Sequence, residues 1–184
     1  INYRGQFLIS MPHIDDEIFH RSVVFIVEHT DQFVLGIIIN QHNLLSHYEL
    51  KELYALDVDP KDIGKLNFIS GGPVRLKELL ILHEHIQKWN EAVEIIPGID
   101  LTTSAEILST IIDSHPDVAH SIVDSYSVWS TEQFNDELKN NIWMPVPFDK
   151  QFLFSRSNKE SLWTELFNSS GIKLNNLSEQ IGTA

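Results

Sequence analysis

Two apolar runs separated by three residues set the strongest constraint on this chain. They are "SVVFIVEH" (22–29) and "FVLGIIIN" (33–40), with "TDQ" between them. Val, Ile and Phe suit the pleated surface of a sheet. Runs of this length with so few polar breaks read as buried strands. A link this short makes them an antiparallel hairpin, although the Asn-Gly dipeptide that marks the tightest hairpins is missing.

The rest of the chain must cover that hairpin. Further strand candidates are "GQFLISM" (5–11), "LNFIS" (66–70), "LLILHE" (79–84), "AVEIIP" (92–97), "HSIVDSYSVW" (120–129) and "FLFS" (152–155). Four helix starts are interspersed: Ser46-x-x-Glu49, Thr103-x-x-Glu106, Ser130-x-x-Gln133 and Ser157-x-x-Glu160. In this pattern a hydroxyl accepts from an early helix N–H, and the Glu or Gln reaches back to the cap's own N–H. The second helix should end before His115-Pro116 and the fourth at Gly171. This order lacks the regular βαβ alternation of a doubly wound sheet. The expectation is an α+β fold. A single compact domain over residues 1–171 carries a mixed, largely antiparallel sheet with a few covering helices, and a weakly held tail follows over 172–184.

Charge narrows the partners. Against 26 acidic residues the chain sets 13 Lys and Arg, for a net charge of −13. Such a field repels phosphate backbones, and no basic cluster offsets it, so direct nucleic-acid binding is not expected. The absence of cysteine removes disulfides, thiolate metal sites and a cysteine nucleophile, and it fits a reducing cytoplasm. No apolar run approaches the ~20 residues that span a bilayer, and no leader pattern is seen, so no membrane association is expected.

The densest local signal is "NFISGGPVRLKELLILHEH" (67–85). Gly71 and Gly72 permit close backbone approach, and their N–H groups could form a nest for an anion. The plainer reading, which the sequence favours, is a strand connection closed by Pro73. Walker spacing is absent, which excludes a phosphate loop of that type. His83 and His85 would share a strand face, and a metal there would need His29 or Asp15 as a third ligand. The zinc-protease pattern fails because Gln87 follows His83 by four. Ser70 with His83 or His29 as base is the one hydrolase candidate, since no Gly-x-Ser-x-Gly elbow occurs. Asp15, Asp16 and Glu17 read as a solvated acidic loop, and His115-Pro116-Asp117 as a chance tripeptide. Trp129 and Trp143 flank the expected 131–141 helix, which gives them a shared packing role at its two ends.

Taken together, "GQFLISMP" (5–12), "F-x-RSVVFIVEH" (19–29), "GIIIN" (36–40), "GGPV" (71–74), "LH" (82–83), "LTTSAEIL" (101–108) and "W-x-x-x-Q-x-x-x-EL-x-x-N-x-W" (129–143) resemble the AlgH/YqgE family of bacteria, in order and spacing over nearly the whole chain. The resemblance implies a single α/β-type domain with a largely antiparallel sheet. It also brings a label, that of a transcriptional regulator of alginate production, carried by one branch. The chain departs from the pattern at Gln41 and His42, where the family has Arg-Pro. It departs again at Ser125 and Val128, where the family has glycines, and at Glu132. Losing an arginine removes a fixed cation, and losing glycines adds side chains where backbones come close.

The functional expectation is therefore a non-enzymatic cytoplasmic protein, regulatory through a small ligand or a protein partner, with no cofactor and no metal. The expected site gathers Asn40, Gly71, Gly72, Pro73 and His83, with Arg21 and His29 nearby. These polar positions fall at strand ends, where a rigid scaffold presents them. The alternative is a hydrolase built on Ser70 or a pocket histidine.

Overall fold

The computed structural model describes residues 1–171. The hairpin is present as β2 (Val23–His29) and β3 (Phe33–Ile38), paired antiparallel. Side chains along β2 alternate between two cores: Val23, Phe25 and Val27 enter one, Val24 and Ile26 the other. Burial on both faces explains why the run has so few polar residues.

Seven more strands complete one sheet: β1 (Phe7–Ser10), β4 (Phe68–Ile69), β5 (Val74–Glu84), β6 (Ala92–Ile96), β7 (Ile99–Thr102), β8 (His120–Ser130) and β9 (Trp143–Val146). Their spatial order is β6-β7-β5-β8-β3-β2-β1-β9, with β4 beside β8. Neighbours are antiparallel except β4, which runs parallel to β8. The sheet curls until β6 meets the segment before β1. Arg4 Nη2 donates to the Glu94 carbonyl at 2.8 Å, and a Cβ on Gly5 would stand 2.3 Å from Ile96 Cγ2.

Among the described residues five α-helices cover it. Beneath α1 (His47–Leu53) and α2 (Ile107–Ser114), Leu50, Ile107, Leu108 and Ile111 pack on Ile81 and Ile122. From α3 (Thr131–Lys139), Phe134 packs on Val24, Ile26, Trp129 and Trp143. Helices α4 (Lys150–Leu153) and α5 (Lys159–Ser169) close the core that Val23, Phe25 and Val27 enter, with Phe152, Leu162, Trp163 and Phe167. Among the described residues no helix is long and apolar enough to cross a membrane.

Several local expectations change. "FLFS" forms no strand: Asp149 caps α4 by accepting from Gln151 N, and the helix takes in Phe152 and Leu153 and turns them inward. The cap of α5 is Asn158, one residue after Ser157, and it accepts from Ser161 N. Asn serves as a cap as well as Ser does. The Thr103 box does not form, because a turn through Ser104–Glu106 delays α2 to Ile107, with Ile107 N donating to the Ser104 carbonyl. The Ser46 box forms in full, with both reciprocal bonds. At Ser130 only half forms, since the Gln133 amide turns to Glu137 instead. The 172–184 tail lies outside the described residues.

Candidate functional site

The Gly-Gly pair marks where the chain steps across a strand. Val123 of β8 pairs with Ile69 of β4 on one side and Leu80 of β5 on the other. Only Ser70–Pro73 joins β4 to β5, so these residues must cross β8. A Cβ on Gly71 would lie 2.3 Å from the Ser125 carbonyl oxygen, and one on Gly72 2.3 Å from the Tyr126 carbonyl. Glycine is required here by contact between backbones. The N–H groups of Gly71 and Gly72 both donate to Ser125 Oγ, at 3.1 and 3.3 Å. Ser125 Oγ in turn donates to Asp124 Oδ1 at 2.9 Å, and Asn43 Nδ2 donates to Asp124 Oδ2 at 2.7 Å. The hydroxyl has used its one donor and both lone pairs. The serine that departs from the family pattern thus fills the place an anion would take.

The other expected site residues lie in four surroundings. Asn40 is buried, accepts from Val23 N at 2.8 Å, and donates to the Arg21 and Lys159 carbonyls, each at 2.9 Å. Arg21 lies over the Trp163 ring, 5.1 Å from its centroid, and faces Glu160 at 3.6 Å. His29 is at the other end of β2 from Val23, about 20 Å away at ~3.3 Å per residue. There it accepts from Tyr3 N at 3.0 Å and stacks on the Tyr3 ring. His83 is fully buried, its Nδ1 on the Glu84 carbonyl and its Nε2 on Thr102 Oγ1, both at 2.7 Å. It pairs with His120, five residues along β8 from Ser125, which puts it about 17 Å from the Gly-Gly crossing. Pro73 is exposed beside that crossing.

Ser70 lines a hollow of about 210 Å³ with Gly72, Gln41 and Leu44. Its N–H donates to the Gln41 carbonyl, and among the described residues no imidazole nitrogen is hydrogen-bonded to its hydroxyl. Asp16 of the acidic loop accepts from Ile18 N and Phe19 N and so closes its own turn. No group of three His, Asp or Glu suited to a metal occurs among the described residues.

A larger hollow is one the motifs do not mark. Between Arg75, which pairs with Ser125, and Leu80, which pairs with Val123, β5 leaves register with β8. Four residues, Leu76–Leu79, stand opposite the single residue Asp124. Such bulges re-aim side chains and recur beside binding sites. The bulge forms one wall of a cleft of about 690 Å³. Leu53, Tyr54, Ala55 and Leu56 at the end of α1 form another wall, and Thr103–Ala105 close the rim. Burial raises the Tyr54 phenol above its ordinary pKa, the buried Asp124 carboxylate adds to this, and Arg75 opposes it. Tyr54 therefore stays a hydroxyl donor. In the sequence the trace of this site was Asp124, the one acidic residue of the 120–129 strand candidate.

A curled, largely antiparallel sheet with short helices on both faces and an open cleft beside the β5 bulge defines a one-domain α+β protein. The chain belongs to the AlgH-like family, whose model matches residues 7–175. A UPF0301 protein of Nitrosomonas eutropha is 32% identical over 100% of this chain and 98% of its own length. Another, of Histophilus somni, is 33% identical over 87% of each. The solution structure of the AlgH protein of Pseudomonas aeruginosa superposes with a TM-score of 0.76 at 28% identity, covering 96% of this chain and 93% of that one. A Corynebacterium diphtheriae protein, 14% identical with a TM-score of 0.70 over 92% of this chain and 87% of its own, has the same fold.

Proposed function

We propose that this protein acts by binding a small ligand, without catalysing a reaction, and that the ligand sits in the cleft between the end of α1 and the β5 bulge. The observation that carries this reading is the bulge itself. An eleven-residue strand gives up pairing opposite Asp124 to open about 690 Å³, a volume within the range of small-molecule sites. Asn40, Gly71, Gly72, His29 and His83 then serve the scaffold, because their hydrogen bonds go to backbone and neighbouring side chains, while Arg21 packs on Trp163 and Pro73 flanks the crossing. The proposed setting is the cytoplasm. Any regulatory role runs through the ligand or a protein partner rather than through DNA, since the −13 charge works against a polyanion.

The test is a thermal-shift and amide-NMR screen of small metabolites on the full chain, repeated with Ala105→Trp. Ala105 is exposed on the cleft rim, so the indole fills the hollow without disturbing a core. Hits should move amides of residues 53–56 and 75–79 and lose their effect in the variant at an unchanged melting temperature. Hits that survive the indole, or a screen that moves no cleft amide, overturn the reading.

A further inference from the structure

Resting on the cleft reading, we infer that the ligand is a small organic anion with an apolar body: a carboxylate or phosphate monoester bearing an alkyl or aryl group. With two acids for every base, a lysine or arginine on this surface finds a carboxylate easily. Six of the described cations do so: Arg4, Arg21, Lys61, Lys65, Lys139 and Lys150. Lys51 and Lys159 donate to carbonyl or amide oxygens. Among the described residues four cations then have no such partner, and two of these, Arg75 and Lys77, stand two residues apart on the cleft wall. Tyr54 lines the same cleft, its phenol feels the charge of Arg75, and its hydroxyl has no hydrogen bond among the described residues. Two cations and a phenol that Glu78, the carboxylate on the same wall, does not engage form a set of free donors, which a ligand carboxylate or phosphate would satisfy.

The remaining walls define the rest of the ligand. Leu53, Leu56, Leu76 and Leu79 line the cleft, and Leu53 is more than half exposed. An alkyl or aryl group laid on Leu53 and the half-buried Leu76 removes their apolar surface from water, Leu56 and Leu79 being already buried. Glu78 shares the wall and Asp124 lies behind it, so the local field supports one anionic group and not a chain of them. A polyanion would also meet the net charge of −13.

Four octyl probes test this on the full-length chain by amide-NMR titration and calorimetry: octanoate, octyl phosphate, octanol and octylamine. Octanoate and octyl phosphate should bind with shifts centred on Tyr54, Arg75 and Lys77. Octanol should bind at least ten-fold more weakly, and octylamine more weakly still. Arg75→Gln should weaken octanoate at least ten-fold and leave octanol unchanged. Arg75 is exposed and unpartnered, so folding should be unaffected and an unchanged melting temperature verifies this. Octanol or octylamine binding in the cleft as tightly as octanoate overturns the charge assignment and leaves the cleft standing. Anions that bind while the cleft amides stay still overturn the assignment as well. If no octyl probe moves a cleft amide, both this inference and the cleft reading fall.

Discussion

Trp129 and Trp143 meet edge to face, their ring centroids 5.8 Å apart, and both indole N–H groups end on one oxygen, Glu137 Oε2, at 3.0 and 2.7 Å. Gln133 Nε2 donates to the other oxygen at 2.8 Å. Both tryptophans are buried. The W-x-x-x-Q-x-x-x-E spacing is thus a structural clamp that fastens α3 to β8 and β9 through one carboxylate. Glu137→Ala should strand two buried donors. At about 1–3 kcal/mol per unsatisfied group, the loss should reach about 2–4 kcal/mol in urea denaturation, with tryptophan fluorescence reporting the change. Glu137→Gln should cost less, since it keeps an acceptor for the indoles while turning its NH₂ against Gln133. Equal losses in the two variants would contradict the clamp.

Ser125 gives a second prediction. Its hydroxyl satisfies the Gly71 and Gly72 N–H groups and donates to Asp124. Ser125→Ala removes all three bonds in a buried place and should cost about 2–4 kcal/mol. Gly71→Ala should cost at least as much for a different reason, because its Cβ would lie 2.3 Å from the Ser125 carbonyl oxygen and 2.7 Å from Val123 Cγ1. The measurement is the denaturation midpoint of each variant. A near-neutral Ser125→Ala would mean that water or another group replaces the hydroxyl, contrary to the saturated network described above.

The sequence revealed the parts of this fold that local chemistry dictates. The hairpin was legible because Val, Ile and Phe in runs have little use elsewhere. The Ser46 helix was legible because its cap is self-contained. What failed depended on distant partners. Strand β9, "WMPV", tolerates Pro145 because β9 is the sheet's edge, which no local pattern announces. Strand β7 is only Ile99–Thr102, with Asp100 buried in it against His85 at 2.8 Å. The expected site drew on polar residues at strand ends, and Asn40 and His83 are polar there because buried backbone needs partners. The cleft arises from a register shift between β5 and β8, and register is a tertiary property.

Ala55 offers a test in the stabilising direction. It follows the Tyr54 cap of α1 at φ +48°, with Ala55 N donating to the Glu52 carbonyl and Leu56 N to the Lys51 carbonyl. This is the Schellman arrangement, whose left-handed position glycine normally fills. Alanine there bears a Cβ penalty of about 1 kcal/mol. Ala55→Gly should therefore raise stability by roughly 0.5–1 kcal/mol, seen as a higher urea midpoint. A loss of stability would show that the extra freedom of the unfolded chain outweighs the relief of strain.

The buried histidines set the acid limit of the fold. His83 Nδ1 faces the Glu84 carbonyl, so that nitrogen carries the proton and Nε2 accepts from the Thr102 hydroxyl, which Trp89 Nε1 holds at 3.1 Å. His120 likewise donates from Nδ1 to the Val118 carbonyl and accepts at Nε2 from Asn67 N. His29 Nδ1 accepts from Tyr3 N. A second proton on any of these rings meets a group that is already donating. Burial lowers the pKa of each. The Glu84 carbonyl and Asp100 partly oppose this at His83, and the Val118 carbonyl does so at His120. The unfolded chain binds protons at about pH 6.5, where the folded rings stay neutral. Stability is therefore full above about 6.5 and falls as pH drops below it, by up to about 1.4 kcal/mol per pH unit for each of His83 and His120. Urea denaturation at pH 8, 7, 6 and 5.5 should show a plateau and then a decline. NMR titration should find both rings titrating below a free histidine, and a flat stability profile down to pH 5.5 would contradict the assigned protonation.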